Sequence, residues 1–569
     1  MNFARNVITP IEERELEWWE TTIFYQIYTR SFADSDGDGI GDLNGITSKL
    51  DHVKEIGAGA ICLSPIFQSP MYDFGYDISD FYAIHDEYGT MDDFYSLLAK
   101  ATELDIKIIL SLVPNHISNE SMWFQEALNG SEKYYDYFIW ETGVIDSDGK
   151  MHPPNNWRSH FRGSAWEYKE EIGKYYLHQF FVAQPDLNYY NIEVIEEMKN
   201  IIKFWLDKGV AGFKINAANC LFEVNKELYD GKFPDEPLSG NRDPDSYDYL
   251  EHVFTKDQNE TYYVIYEWRE LFDEFSAEDG LKRIMMTEAN AAIQDVAKYF
   301  GENERDGAQI PLNFDLISDV DASSSAGDMK RAIDKFLTYK PVNKAANWVV
   351  GNHDNSRMAT RYGSSLVDGI NMIVLLLPGV AVTYMGEEIG MLDGYISWKD
   401  TVDSFGCNTN DPINYIKNSR DPERTPFHWN AKRNAGFSTA DKTWVPVAQG
   451  YETLNVQVQN ASERSHLKVY QDLADLRQNN IFRYGRYDSV AMNKDVFVFR
   501  RWHQGQIYLV LVNMGKNEHL IDLRYFENVY ADVSIVIRSV NSPKYIGDTF
   551  VASALPVVGF ESLVLKHVK

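Results

Sequence analysis

Short apolar runs alternate with longer amphipathic stretches along most of this chain. The runs are TIFYQIYT near residue 22, AGAICLSPI near 58, KIILSLVP near 107, AGFKIN near 211, RIMMTEA near 283, QIPLNFDLI near 309, NWVVGNHD near 347 and GVAVTYMGEEIG near 379. Between most of them lie segments of helical period, such as DFYSLLAKATELD and VIEEMKNIIKFWLDKG. Eight strand-then-helix units in succession predict a parallel sheet with helices outside, closed into a (β/α)8 TIM barrel of the α/β class. The stretch from 117 to 190 is rich in Trp, Asn and Gly and has no helical period, so it reads as a subdomain inserted after strand 3. Beyond 483 the period becomes two, as in DVFVFRRW and QIYLVLVNM, which predicts a C-terminal antiparallel β-sandwich. The expected organisation is a barrel over 17–116 and 191–482, an insert over 117–190 and a sandwich over 483–569.

Composition narrows the function classes. Asp plus Glu number 85 against 54 Lys plus Arg, a formal net charge of -31. Such a field repels phosphate backbones, which argues against nucleic acid as a partner. Aromatic residues are 14% of the chain, far from the composition of disordered proteins. Cys62, Cys220 and Cys407 are too scattered for a disulfide framework or a zinc site and are expected as buried thiols. The first twenty residues lack the apolar stretch of a signal peptide, and no run approaches membrane-spanning length.

Barrels of this kind carry their reacting groups at the carboxyl ends of the strands. That rule selects Ser111 through His116 after the third strand, Lys214 and Asn216 on the fourth, Thr287 and Glu288 on the fifth, and Asn352, His353 and Asp354 on the seventh. A lone Glu or His at such a place is commonly a cap or a structural hydrogen-bonding group. Two carboxylates, Glu288 and Asp354, on different strand ends with His116 and His353 beside them are the equipment of glycoside chemistry. The loop DSDGDGIGD offers Asp34, Asp36, Asp38 and Asp42 at close spacing, with the Ile40 carbonyl, around a structural hard cation such as Ca2+. It is not an EF-hand, because the twelfth position is Gly45 rather than Glu.

The ordered motifs FYQIYTRSFADSDGDGIGDLNGI, PMYDFGYDISDF, LVPNHIS, QPDLNYYN, GFKIN, MTEAN, GNHDNSR and SRDPERTPFHW resemble those of the α-amylase superfamily over nearly the whole chain. QPDLN is similar to the oligo-1,6-glucosidase and maltase branch, and the remainder looks most like insect midgut maltases. The resemblance implies the fold read above. It also implies that Glu288 is the acid/base and Asp354 the transition-state stabiliser, and that Asp73, Tyr76, His116, His353 and Arg424 or Arg420 bind the sugar. The cation loop is implied to be Asp34, Asp36, Asp38, Ile40 and Asp42. A small Ala217 after the nucleophile position points to α-1,4 over α-1,6 linkages.

Three positions depart from the pattern. The family's Gly-Phe-Arg-x-Asp, whose Asp is the nucleophile, reads Gly212-Phe213-Lys214-Ile215-Asn216 here, and the Asp a few residues before Asn115 is Ser111. An amide carries no full charge with which to capture an anomeric carbon, so a pseudoenzyme that binds α-glucosides such as maltose without hydrolysing them is expected. Two alternatives stand beside it: a working α-glucosidase acting on maltose- or sucrose-type substrates, and a transporter heavy-chain-like ectodomain. The resemblance further implies an extracellular or cell-surface station and opens a receptor role, since insect maltases also dock bacterial larvicidal toxins.

Overall fold

In the computed structural model, which describes residues 14–568, the eight apolar runs become the staves of one parallel sheet. They are β1 (Ile23–Ile27), β2 (Ala60–Leu63), β3 (Lys107–Leu112), β4 (Gly212–Ile215), β5 (Ile284–Thr287), β6 (Ile310–Pro311), β7 (Asn347–Val349) and β8 (Val380–Tyr384). Hydrogen-bonded neighbours run β6-β5-β4-β3-β2-β1-β8-β7. Between β6 and β7 a side chain replaces the ladder. Pro311 ends β6 and has no N–H to donate. The Asn347 amide oxygen instead accepts the Asn313 N–H at 2.8 Å, and its Nδ2 donates to the Pro311 carbonyl at 2.6 Å.

Alternation along the staves sorts side chains into two layers. Phe24, Cys62, Ile109, Met286, Val349 and Val382 fill the barrel interior. Tyr25, Ile61, Leu110, Phe213 and Met285 point outward, into the larger core beneath the helices. Helices begin where the sequence supplies a cap. Asp42 accepts the Gly45 N–H to start α1 (Leu43–Glu55). Thr90 and Asp93 form a reciprocal capping box at α2 (Met91–Glu103), and Asn191 accepts the Glu193 N–H at α3 (Ile192–Asp207).

The insert carries a three-stranded sheet in the order Trp140–Glu141, Lys174–Leu177, Trp166–Lys169. Its small core of Trp157, Trp166 and Leu177 is completed by Phe233 and Phe254. Those two phenylalanines lie in the stretch that follows β4, and Trp157 Nε1 donates to the Pro234 carbonyl at 2.9 Å. The β4 connection thus packs with the insert, a partnership that no local periodicity announces. The C-terminal part is a six-stranded antiparallel sheet in the order Arg486–Ala491, Val496–His503, Gln506–Asn513, Ser562–His567, Asp532–Arg538, Thr549–Val551. A short pair, His519–Ile521 with Leu555–Val557, accompanies it.

One expectation needs correction: Cys62 and Cys220 are buried, but Cys407 is exposed. It ends the short helix Ser404–Cys407 in the long connection after β8, outside any apolar run. The reading of the first twenty residues falls largely on residues outside those described. Among the described residues no helix is long and apolar enough to cross a membrane.

β4 and β5 approach so closely that a methyl group on Gly212 would lie 2.0 Å from the Ile284 carbonyl oxygen. Gly212→Ala is therefore expected to destabilise the fold by about 1–3 kcal/mol or more. A denaturant midpoint equal to that of the unsubstituted chain would contradict this packing.

Candidate functional site

The same alternation builds the mouth of the barrel. On β4, Phe213 and Ile215 face the helices, so Lys214 and the following Asn216 face inward. Lys214 stands in register with Ser111 of β3 on one side and Met286 of β5 on the other. Ile215 pairs with Thr287, which puts Asn216 level with Glu288. The three departures from the family pattern therefore occupy two adjacent strands and two successive layers.

All three departing side chains are buried: Ser111, Lys214 and Asn216 are 3%, 3% and 5% exposed. Lys214 Nζ donates to Asn216 Oδ1 at 3.0 Å and also forms an ion pair with Glu288 Oε2. The amide is oriented by its neighbours, since Asn216 Nδ2 donates to the Leu112 carbonyl at 3.2 Å while its oxygen faces the ammonium. The cation therefore has one anionic partner here, Glu288. The position that should offer a free anionic oxygen instead offers an amide with both ends engaged.

The rest of the mouth is assembled around Asp354. Arg424 Nη2 and Arg420 Nη1 donate to its Oδ1 at 2.8 and 3.1 Å, and His353 Nε2 lies 3.2 Å from Oδ2. Burial would push the Asp354 carboxyl up, but His353, Arg420, Arg424 and Lys214 together hold it well below the usual carboxylate range. Arg420 is the hub. Its Nη2 reaches Asp73 Oδ1 at 2.9 Å and Asp403 Oδ1 at 2.6 Å, and its guanidinium lies over Phe405 of the β8 connection and Phe161 of the insert. The second oxygen of Asp73 accepts from Gln184 Nε2 at 3.1 Å, within the QPDLN motif.

Two neutral histidines complete the site. His353 is stacked against Tyr28 and Tyr76, with ring centroids 5.3 and 5.4 Å away, and its Nε2 is 2.5 Å from Tyr76 Oη. Gln26 Nε2 approaches its Nδ1 at 3.3 Å. His116 receives Asn115 Nδ2 at Nδ1, 3.2 Å, and donates from Nε2 to the Tyr76 carbonyl, also 3.2 Å. Burial pushes both imidazoles down to about 3. Ionised Asp354 and neutral imidazoles are a hydroxyl-binding set with acceptors and donors fixed in place.

Every site residue expected from the sequence lies in this mouth or in the cation loop. Both arginines contact Asp354, and Arg420 alone also reaches Asp73. Sequence reasoning missed Gln26, Tyr28, Gln184, Phe161, Phe405 and Asp403; Gln184, inside an already quoted motif, had the clearest signal.

In the loop, ligand oxygens of Asp34, Asp36 and Asp42 lie within 4.8 Å of one another. Asp38 stands outside this group; its Oδ1 accepts the Ile40 N–H at 2.7 Å, as Asp34 and Asp36 accept the N–H groups of Asp36 and Asp38 at 3.1 Å. Burial pushes the Asp42 carboxyl up, and neighbouring Asp36 adds to the effect. Three converging carboxylates fit a hard, oxygen-seeking cation.

His116 gives a signed pH dependence. Its folded value is depressed to about 3 from an ordinary 6.5, so the unfolded chain binds the extra proton between those limits and stability falls as pH drops below 6.5. His116→Gln is expected to flatten the stability profile between pH 7 and 4.5 by about 2–3 kcal/mol, measured by denaturation at the two pH values. Parallel profiles would refute the neutral, buried assignment.

With this geometry in hand, known proteins can be set beside it. The alpha amylase catalytic domain model matches residues 26–485. Maltase A1 of Drosophila melanogaster is 47% identical over 95% of this chain and 96% of its own length. The salivary alpha-glucosidase of Anopheles gambiae is 50% identical over 89% of this chain and 86% of its own. Among solved structures, an inactive double mutant of the trehalulose synthase MutB from Pseudomonas mesoacidophila, in complex with isomaltulose, superposes with a TM-score of 0.83 at 27% identity, covering 97% of this chain and 100% of that one. The chain belongs to the α-amylase family of glycoside hydrolases, in the branch of the insect maltases and α-glucosidases.

Proposed function

We propose that this protein is a maltase-like α-glucoside-binding protein that has lost hydrolysis or retains only a trace of it. The observation that carries the reading is the Asn216 amide at the nucleophile position, with Lys214 Nζ 3.0 Å from its oxygen. Retaining glycosidases place an anionic oxygen roughly 5 to 5.5 Å from the acid/base carboxyl and form a covalent glycosyl intermediate. Asn216 has no charge for that step, and loss of a nucleophile costs on the order of 10⁴–10⁶ in kcat. The binding half persists in Asp73, Tyr76, His116, His353, Asp354 and the two arginines. The isomaltulose complex of an inactive MutB mutant lends support, because an inactive variant with a barrel of this shape still carries a sugar.

Calcium held by the loop of Asp34, Asp36, Asp38, the Ile40 carbonyl and Asp42, three of whose carboxylates converge, belongs to the proposal as a structural ion that ties the β1 loop to the start of α1. A cell-surface station and a protein ligand such as a bacterial toxin belong to it through the family resemblance alone.

Freshly purified protein is expected to release glucose from maltose at least about 10⁴-fold more slowly than the triple revertant Asn216→Asp, Lys214→Arg, Ser111→Asp, while both give binding heat with maltose in calorimetry. Robust turnover by the unsubstituted chain, with mass spectrometry proving the Asn216 amide intact, would favour the working α-glucosidase instead. Chelation of divalent cations is expected to lower Tm by about 5 °C, restored by Ca2+ and absent in Asp34→Asn. An unchanged Tm on chelation would remove the ion from the proposal.

A further inference from the structure

Lys214, Asn216 and Glu288 form a constellation within the mouth that can support a second chemistry. A primary amine lies 3.0 Å from a side-chain amide oxygen, which places it within about 4.2 Å of the amide carbon, one C=O bond length further. The carboxyl of Glu288 touches the same amine. The group borders a small void beneath the barrel mouth, whose lining mixes apolar Cys62, Met286 and Val382 with polar Gln26 and Asn352.

We propose that Lys214 and Asn216 join through an isopeptide bond, formed within the chain and assisted by Glu288. Glu288 takes a proton from the Lys214 ammonium, and the freed amine attacks Asn216 Cγ. The Nζ–Cγ bond forms and the Cγ–Nδ2 bond breaks. Two protons leave the lysine nitrogen in all: one completes the departing ammonia and the other remains on Glu288, so no oxidant or co-reactant is needed. Asn216 Nδ2, the leaving nitrogen, is already turned toward the Leu112 carbonyl at 3.2 Å, away from the attacking amine.

Both changes at β4 are required for this chemistry. The family's Arg and Asp at these positions are a delocalised guanidinium and an ionised carboxylate, a poor nucleophile facing a poor electrophile. Lys and Asn are an amine facing an amide, and the acid/base carboxyl that normally serves the glycosidic oxygen stands beside them. The bond is independent of sugar binding, so either proposal can fail without the other.

The test is mass spectrometry on the full chain. The unsubstituted protein is expected to be lighter than its sequence mass by one ammonia, to resist trypsin after Lys214, and to yield a peptide whose fragments keep residues 214 and 216 linked. Lys214→Arg is expected to have its full mass, and Glu288→Gln is expected to acquire the lighter mass at least about 10²-fold more slowly, with circular dichroism confirming that both fold. Full mass with ordinary cleavage after Lys214 overturns the proposal. So does an ammonia-lighter protein that trypsin still cuts there and hydroxylamine splits between Asn216 and Ala217, because that signature belongs to a succinimide.

Discussion

Before any bond to Asn216 forms, the tip of β4 turns on a buried cation whose contacting anion is Glu288. Lys214 is 3% exposed, and its ammonium is matched by Glu288 and by the neutral oxygen of Asn216. An unpaired ion in such a place costs several kcal/mol, so Glu288 has a structural duty here whatever its chemical one. The family pattern has Arg and Asp where this chain has Lys214 and Asn216; with the positive charge kept and that carboxylate gone, Glu288 is the anion in contact with Lys214. Loss of the nucleophile and engagement of the acid/base are one electrostatic rearrangement.

The mouth around Asp354 stands on a second charge network. Arg420 joins Asp73, Asp354 and Asp403, while Arg424 reaches Asp354 and the His353 carbonyl. Asp403 is fully buried, and burial, which would raise its carboxyl, is outweighed by the two arginines that lower it. The network draws its members from the loop after β2, the end of β7 and the connection after β8, with the insert contributing Phe161. None of these elements depends on the side chain at 216. The barrel can therefore keep a formed hydroxyl-binding mouth over a changed β4.

Much of this was legible in the sequence because strand alternation is local. The eight runs mark the staves, and period two along AGFKIN puts 214 and 216 on one face without any tertiary information. Arg420 and Asp73, by contrast, are 347 residues apart, and nothing near Asp403 marks it as the anchor of that arginine. Tyr28 and Gln26 lie within a quoted motif, but their contacts with His353 depend on how β1 and the end of β7 meet at the mouth. In the acidic loop, Asp34, Asp36 and Asp38 all accept N–H groups of their own backbone, so spacing alone does not tell which carboxylates converge.

Asn216 also makes a contact that its acidic counterpart could not. Its Nδ2 donates to the Leu112 carbonyl, which already accepts the Asn216 backbone N–H at 2.8 Å. A carboxylate in this conformation would set an anionic oxygen against that carbonyl with no proton between them. The amide replaces repulsion with a hydrogen bond at the same site, tying the tip of β4 to β3. Together with the Lys214–Glu288 pair, this gives the altered β4 its own stabilising contacts, so the changed residues form a consistent arrangement of their own.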